Sequence, residues 1–309
     1  MLDIIGVGDT NVDVMIQVPH IPSHDEKVRG KLFGYFAGGI TANFCSAAAS
    51  FGAKVGAVCK IGQDDYGDLA LKDLVMRGVD TSHMVIKPDA ETYFCMILLD
   101  ETGEKALTIV ETSGFLPKYE EVDISYLKQA KRVHMTTLDM ELTAGVAEAL
   151  KGSETKLSLD IEPTAGSCSR EVWDRVLRCV DIAFPNEAGL AALTGCGDIA
   201  AGAAQLLDRG VGAVVVTCGA NGVQVFERDG SFHYPAFRVP VRDTTGAGDC
   251  FNAVFLTGVV NGWPLKRCAQ YASAAAAIAI GNVGARTDLP TKTQVDEFLQ
   301  ERGESICDW

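Results

Sequence analysis

Apolar and polar positions alternate along this chain in a way that predicts an α/β fold. Short apolar runs such as 2–8 and 213–217 are typical of buried parallel strands. Between such runs lie segments with helical spacing, for example 41–51, which ends before Gly52. Repeated strand–helix alternation predicts a central, mainly parallel sheet with helices on both faces. Further strands are expected at 54–61, 132–135, 156–160 and 182–184, and further helices at 67–77, 143–151, 169–179 and 199–209.

Two stretches interrupt this alternation. The stretch 11–35 contains two strand-like runs, and the stretch 91–115 contains a hairpin-like pair around the turn 100–104. We expect both insertions to pair into a small β lid over the carboxyl ends of the strands, where open α/β sheets bind ligands. Because neither a repeat nor a linker divides the chain, residues 1–309 are expected to form a single domain. The lid strands are expected at 11–17, 28–35, 92–99 and 106–110.

Composition and charge limit the classes of function. The chain has 309 residues, of which 47% are hydrophobic, so it can bury a substantial core. Its net charge of −14 repels phosphate backbones and anionic lipids, so we expect neither a nucleic-acid partner nor a membrane. The start of the chain reads as a strand and not as a signal peptide, and a cytoplasmic location is expected. The ten cysteines are scattered without metal-ligand spacing, which favours reduced, buried thiols.

The most informative segment is the glycine-rich turn within 241–252. Gly246, Ala247 and Gly248 let the backbone turn tightly at the start of a predicted helix, after the strand-like segment HYPAFRV. Unpaired amide donors and the helix dipole favour an anion there. Asp249 lies beside this anion hole, where a carboxylate can remove the proton of a hydroxyl that attacks a phosphoryl group. A helix cap is the simpler interpretation of the tetrapeptide GAGD alone.

The longer string DTTGAGDCF, at 243–251, resembles the C-terminal signature of the ribokinase-like (PfkB) carbohydrate kinases. Four other segments resemble motifs of that family in the same order along the chain. The resemblance implies a ribokinase-like three-layer fold, with a central mainly parallel sheet flanked by helices and a small β-sheet lid. It also implies an ATP-dependent sugar kinase. The four segments lie at 8–13, 38–67, 217–222 and 282–290.

The resemblance assigns roles to particular residues. It makes Asp249 the catalytic base and the turn Gly246, Ala247 and Gly248 the anion hole, in agreement with the interpretation of the turn itself. On the sugar side, Asp13 is expected to accept hydrogen bonds from two hydroxyls, while Gly38 and Gly39 let the backbone approach and Asn43 offers an amide. An Asx-type turn is the simpler explanation of Asp13. The residues expected to bind ATP are Asn186, Thr217, Gly219, Gly222, Gly284 and Ala285.

Two cation sites follow from the same resemblance. Asp243 and Thr245 match positions where many relatives hold a monovalent cation such as potassium. For magnesium the family commonly carries Asn-x-x-Glu, whereas this chain keeps Asn186 and has Gly189 in the fourth position. Glu187 is displaced by two residues from that position. Magnesium takes few protein ligands and keeps waters, so it can still bridge the phosphates of ATP.

The sequence leaves the substrate open. The string 38–43 reads GGITAN, with Ile40 and Thr41 where ribokinases tend to read GGKGAN, which argues against strict ribose specificity. We expect a primary hydroxyl of a pentose, ketohexose or sugar derivative to be the acceptor. A nucleoside is the alternative acceptor within the family. Candidate selectivity residues are His20, Lys27, Arg29, Phe94, Thr136 and Thr137, and Phe33, Tyr35 and Phe94 are candidates for an apolar slot for a nucleoside base.

Other classes fit the residues less well. A dinucleotide-binding oxidoreductase is suggested by Gly6 and Gly8, but Asn11 stands where the third glycine belongs and a strand follows. The chain has no Walker A string, which excludes a P-loop NTPase. A non-catalytic sugar sensor is disfavoured because a binder has no use for Asp249. Lids in the family often pair between subunits, so a homodimer is expected.

Overall fold

The computed structural model describes residues 1–163 and 168–305 of the chain. Their strands are β1 (Leu2–Gly8), β2 (Asn11–Gln17), β3 (Lys31–Gly38), β4 (Val55–Gly62), β5 (Val85–Lys87), β6 (Phe94–Leu99), β7 (Lys105–Val110), β8 (Ala130–Thr136), β9 (Lys156–Ile161), β10 (Val180–Pro185), β11 (Ala213–Thr217), β12 (Val223–Glu227) and β13 (Gly230–Tyr234). Their helices are α1 (Ile40–Ser50), α2 (Asp65–Met76), α3 (Ile124–Leu127), α4 (Met140–Leu150), α5 (Arg170–Leu177), α6 (Glu187–Thr194), α7 (Ile199–Asp208), α8 (Ala247–Val260), α9 (Leu265–Ala279) and α10 (Lys292–Glu301).

The large sheet has nine strands in the order β13-β12-β11-β10-β9-β8-β1-β4-β5. Strands β11 through β5 in that order pair in parallel, and only β12 and β13 join antiparallel. Strand β1 is buried on both faces: Ile4 packs into the core beneath α1, α8 and α9, whereas Ile5 and Val7 pack into the core on the opposite face. This arrangement confirms the predicted three-layer fold.

The small sheet consists of β3-β2-β6-β7 and confirms that the two insertions pair with each other. Strand β2 has the predicted bounds, and β6 and β7 form the predicted hairpin. The prediction for the next strand was wrong by three residues, because a strand was expected over 28–35 and β3 spans Lys31–Gly38. Its pairing with β2 begins opposite Asn11 at Gly38, so backbone pairing extends the strand through the glycine.

The segment before α8 also differs from the prediction. A strand was expected over 233–239, but β13 ends at Tyr234. Pro235 follows, and a proline cannot donate to a strand ladder. The irregular segment instead bonds to the end of α9, since the amides of Arg242 and Asp243 donate to the carbonyl of Ile280 at 2.8 and 3.3 Å. The sequence prediction omitted β5, β12, α3, α6 and α10.

In residues 1–163 and 168–305, no single helix is both long enough and apolar enough to span a membrane. Helices α6 and α7, which are bent by 58° relative to each other, reach that threshold only as a pair.

Candidate active site

A cleft of about 1250 Å³ lies between the small sheet, α2 and the two segments that flank α8 and α9. Asp13 and Ile97 line it from the small sheet, and Asp73 lines it from α2. Asp243 and Ala285 line it from the C-terminal side. The cleft therefore joins parts of the chain that are far apart in sequence.

Asp249 is the third residue of α8, in the turn where helix amides lack intrahelical partners. Its Oδ2 accepts a hydrogen bond from Nδ2 of Asn43 at 2.8 Å. Burial, together with the negative charges of Asp9 and Glu162, raises the pKa of Asp249 to about 7, against the opposing effects of Asn43 and Arg286. A carboxyl group with that pKa exchanges a proton readily near neutral pH.

The glycines of the turn before α8 have different roles. Gly246 has φ of 75°, in the left-handed region, and a Cβ there would lie 2.7 Å from the Cβ of Ala285. Both the conformation and the contact require glycine. A Cβ on Gly248 would meet no atom within 4 Å. Gly246 thus determines the shape of the turn, and Gly248 leaves open space beside it.

The expected sugar-side residues lie together at the edge of the small sheet. Asp13 is on β2, Gly38 ends β3, and Gly39 precedes α1 with φ of 98°. The carboxylate of Asp13 accepts a hydrogen bond from Nδ2 of Asn11 at 2.9 Å, and burial raises the pKa of Asp13. A Cβ on Gly38 would lie 2.7 Å from Oδ2 of Asp13, so this glycine lets the backbone pack against the carboxylate.

Asp9 was not singled out from the sequence, although it lies within the quoted string 8–13. It is fully buried after β1, and its carboxylate accepts the amides of Ile40 at 3.2 Å and Thr41 at 2.9 Å. It also accepts the hydroxyl of Tyr93 at 3.0 Å. Asp9 therefore caps α1, because Gly39 has no side chain to do so. The sequence places Asp9 at the end of a buried strand. That position alone predicts neither the burial of its carboxylate nor the partners that the carboxylate binds.

The expected nucleotide-side residues form a second group. Asn186 and Thr217 pair in a parallel bridge that continues β10 and β11. Oδ1 of Asn186 accepts the amide of Gly189 at 2.7 Å and caps α6. Gly219 and Gly222 follow with φ of 52° and 88°. Within the described part of the chain, the lining of the 1250 Å³ cleft does not extend to this group.

Gly284 and Ala285 lie on the other side, next to Asp243. The amide of Gly284 donates to Oδ2 of Asp243 at 3.0 Å, and the hydroxyl of Thr245 donates to Oδ1 at 2.7 Å. Nζ of Lys105, on β7, donates to Oδ1 of Asp243 at 3.1 Å and to Oγ1 of Thr245 at 2.6 Å. Burial acts to raise the pKa of Asp243, but these hydrogen bonds outweigh it and hold the pKa at about 2. The contact of Lys105 with the two expected cation ligands was not predicted from the sequence.

The departure at Gly189 has a packing explanation. A Cβ there would collide with the carbonyl oxygen of Ile161, so this position has no space for a glutamate side chain. Glu187 lies at the surface. Glu162 directly follows β9 on the neighbouring strand, and burial together with the charge of Asp9 raises its pKa. Glu162 thus directly follows the residue whose carbonyl closes off Gly189, and it is a carboxylate that the sequence prediction did not single out.

Asp160 forms an acidic region with Asp9, Glu162 and Asp249, whose charges act on one another. Asp160 accepts a hydrogen bond from Nδ2 of Asn252 at 3.1 Å. Burial and the charges of Glu162 and Asp249 raise the pKa of Asp160 well above its usual value. Among the described residues, no group of three or more His, Cys, Asp or Glu side chains is arranged as a complete metal site.

The candidate selectivity residues lie in different parts of the structure. His20 Nε2 lies 2.5 Å from a carboxylate oxygen of Glu26, and Lys27 and Arg29 are exposed. Thr136 and Thr137 are buried at the end of β8. The expected aromatic residues Phe33 and Tyr35 line the cleft. Within the described residues, none of the other candidates for selectivity or for an apolar slot does so.

Phe94 packs elsewhere. Its ring lies 5.6 Å from that of Tyr66, centroid to centroid, and Tyr66 in turn lies 5.9 Å from Tyr35. This aromatic group joins α2 to the small sheet.

Comparison with known proteins identifies the family. Residues 1–292 match the model of the pfkB family of carbohydrate kinases. The chain is 30% identical over 302 residues to an ATP-dependent ribose-1-phosphate kinase of Halopiger xanaduensis, covering 98% of this chain and 99% of that protein. It is also 30% identical over 305 residues to a ribokinase of Haemophilus influenzae, covering 95% and 97%. The crystal structure of a Thermotoga maritima ribokinase superposes with a TM-score of 0.88 at 27% identity, covering 97% of this chain and 100% of that one. The chain is therefore a member of the pfkB family of carbohydrate kinases, and it is a phosphotransferase.

Proposed function

We propose that this enzyme transfers the γ-phosphate of ATP to a primary hydroxyl of a small carbohydrate, such as a pentose, a ketohexose or a sugar derivative. One observation carries the proposal: Asp249, with a pKa of about 7, lies in the first turn of α8, directly after a turn shaped by Gly246. A base and a helix N-terminus, where amides lack intrahelical partners, are thus held in one helical turn. Phosphoryl transfer to an alcohol needs both.

In this proposal Asp249 takes the proton of the acceptor hydroxyl as the oxygen attacks. The amides of the turn Gly246, Ala247 and Gly248 bind the oxygens of the transferred group, and the helix dipole favours their charge. The amide of Ala247, which donates to the carbonyl of Thr244 at 3.2 Å, has to leave that partner to do so. Asp13 accepts hydrogen bonds from sugar hydroxyls. The backbone at Gly38 and Gly39 and the amide of Asn43 complete the sugar side, and the two groups meet because Asn43 is bonded to Asp249.

ATP is proposed to bind on the C-terminal side of this turn. Gly284 and Ala285 offer a surface without large side chains, and Ala285 packs on Gly246. The remaining proposed ATP residues, at the ends of β10 and β11, are Asn186, Thr217, Gly219 and Gly222.

Magnesium is the expected partner of ATP, and the acidic region fits it chemically. Carboxylate oxygens and waters are the ligands that magnesium prefers. We propose that Glu162 holds magnesium and its waters, in place of the glutamate that Gly189 cannot supply, while Glu187 lies at the surface. When bound, magnesium offsets negative charge on the phosphates.

A monovalent cation such as potassium is proposed at Asp243 and Thr245 only in competition with Lys105. The lysine ammonium already satisfies Oδ1 of Asp243, at 3.1 Å. A cation at this carboxylate oxygen would have to displace that ammonium.

A nucleoside acceptor remains the second candidate, because one observation favours it. Phe33 and Tyr35 line the cleft and are 56% and 47% exposed. Exposed aromatic faces in a cleft are suited to stacking on a nucleoside base.

We also propose that the chain forms a homodimer through the small sheet and that residues 1–309 act as one domain. Large apolar side chains are unusually exposed on this sheet, which is typical of an interaction surface. Light scattering at increasing protein concentration should show twice the mass of one chain, and a monomer at all concentrations would contradict the proposal. The exposed side chains are Leu32, Phe33, Tyr35, Phe36, Met96, Leu107 and Ile109.

The test of the proposed function is ADP release from magnesium-ATP with a panel of acceptors. The panel contains pentoses, ketohexoses, sugar acids, sugar phosphates and nucleosides, and Asp249→Asn serves as the blank. Turnover on one class that disappears in the variant supports both the reaction and the base. Equal turnover by the variant removes Asp249 as the base. Binding of a sugar without turnover on any acceptor would favour a sensor.

A further inference from the structure

Arg286 lies in the segment after α9 and is only 5% exposed, yet none of the roles above uses it. Its guanidinium bonds to three separate elements. Nε donates to Oδ1 of Asn43 on α1 at 2.7 Å, and one terminal nitrogen donates to Oδ2 of Asp73 on α2 at 2.6 Å. The other terminal nitrogen donates to the carbonyl of Gly38 at the end of β3. Arg286 thus connects the proposed nucleotide side with the proposed sugar side.

The contact with Asn43 constrains the direction of an amide. A guanidinium nitrogen can only donate, so the atom of Asn43 that faces Arg286 has to be the oxygen. The NH₂ group of Asn43 then points away from Arg286, and it donates to Oδ2 of Asp249. With Arg286 in place, the amide cannot flip to present its oxygen to the carboxylate.

This orientation matters for the base. A donated hydrogen bond occupies Oδ2 of Asp249 and leaves Oδ1 to receive a proton. A flipped amide would place two oxygens against each other and would favour the protonated carboxyl group. Resting on the function proposed above, we propose that Arg286 is a positioning residue, which acts through Asn43 to hold Asp249 ionised and correctly oriented.

The alternative is that Arg286 only fastens the C-terminal segment to the rest of the fold. The positioning role and the fastening role can be told apart at Asp73. This carboxylate also accepts a hydrogen bond from Nε of Arg77 at 3.0 Å. Arg77 and Arg286 both donate to Asp73. The guanidinium that donates to Asn43 is that of Arg286. Arg77→Met is therefore a matched control that removes a cation from Asp73 and leaves the amide of Asn43 unchanged.

The first measurement is the pH profile of kcat/KM for the sugar. Asp249 faces the negative charges of Asp9 and Glu162, the buried carboxyl group of Asp160 and the positive charge of Arg286. Arg286→Met should lower kcat by about 100-fold and move the acidic limb upward by about one pH unit. Arg286→Lys should recover the position of the limb better than the value of kcat, because a lysine cannot make the same fork of bonds. Arg77→Met should leave the limb in place.

A double-mutant cycle tests the route through Asn43. If Arg286 acts through this amide, adding Arg286→Met to Asn43→Ala should cost little more in kcat than Asn43→Ala alone. Additive losses, or a limb that does not move in Arg286→Met, would overturn the proposal. Carboxyl carbon NMR, with the Asp249 signal assigned by its loss in Asp249→Asn, gives a readout that needs no turnover. Arg286→Met should raise the pKa of Asp249 there even if the enzyme proves to have another acceptor or another base.

Discussion

Asn43 on α1 donates to Asp249 on α8 at 2.8 Å, although the two residues are 206 positions apart in the chain. In the proposed function this bond joins the sugar-binding residues to the base. It also holds a carboxyl group whose pKa burial has raised to about 7, so the protonation state of the site changes close to neutral pH.

Turnover should therefore depend on pH. A base has to be ionised to accept a proton, so kcat/KM should fall below pH 7 with a slope of one and reach a plateau above it. Steady-state rates from pH 5.5 to 9 would show the limb. A rate that is flat across pH 6 to 8 would contradict the assignment of Asp249 as the base.

The same carboxyl group should affect stability with a defined sign. Its pKa is higher in the folded protein than in the unfolded chain, so the folded state loses relative stability as pH rises from about 4 to 7. Asp249→Asn lacks this penalty and should be more stable than the wild type by about 1 kcal/mol at pH 8, because its amide carries no charge to bury. Urea unfolding at pH 5 and pH 8 measures the difference.

Asp243 is the control, because the pKa of its carboxyl group is lowered to about 2. Asp243→Asn should be less stable than the wild type at neutral pH, and the gap should close as pH falls from 4 toward 2. The same sign for both variants would show that the pKa directions at the site are misassigned.

The two glycines of the turn should separate stability from activity. Gly246→Ala forces an alanine into the left-handed region against Ala285 and should destabilise the protein by about 2 kcal/mol. Gly248→Ala places its methyl group in open space and should leave stability unchanged or raise it by about 0.5 kcal/mol. If that space receives the phosphoryl group, kcat should nevertheless fall. Full activity in Gly248→Ala would place the transferred group elsewhere.

Lys105 should govern the response to potassium. The wild type should turn over equally well in potassium and in tetramethylammonium buffers, because the lysine ammonium already lies on Asp243. Lys105→Met should become dependent on potassium. Lys31→Met, at the exposed start of β3, is the matched control from the same sheet. Potassium dependence in the wild type would show that the ammonium does not take the place of the ion.

The sequence predicted those features that depend on local pattern. The alternating strands and helices, the bounds of β2 and β11 and the turn at Gly246 follow from hydrophobic spacing and from strings of a few residues. The strand expected through Pro235 was wrong because apolar spacing alone does not register the missing amide donor. Arg286, Glu162 and Lys105 were not identified, since the surroundings of each are assembled only by tertiary packing of segments far apart in the chain.

Strand β1 lies inside the large sheet, between β4 and β8, and one of its faces is covered by helices from both ends of the chain, α1 and α8 with α9. The site of the enzyme is dominated by contacts of very high sequence separation, such as α1 against α8, and such contacts form late and slowly. A nascent chain that has emerged as far as β11 can pair its parallel strands, but it exposes the apolar face of α1 until α8 and α9 are synthesised. Truncation before α8 should therefore yield an aggregation-prone sheet that binds no sugar. Folding of the whole chain thus depends on the segment from α8 onward, which is synthesised last.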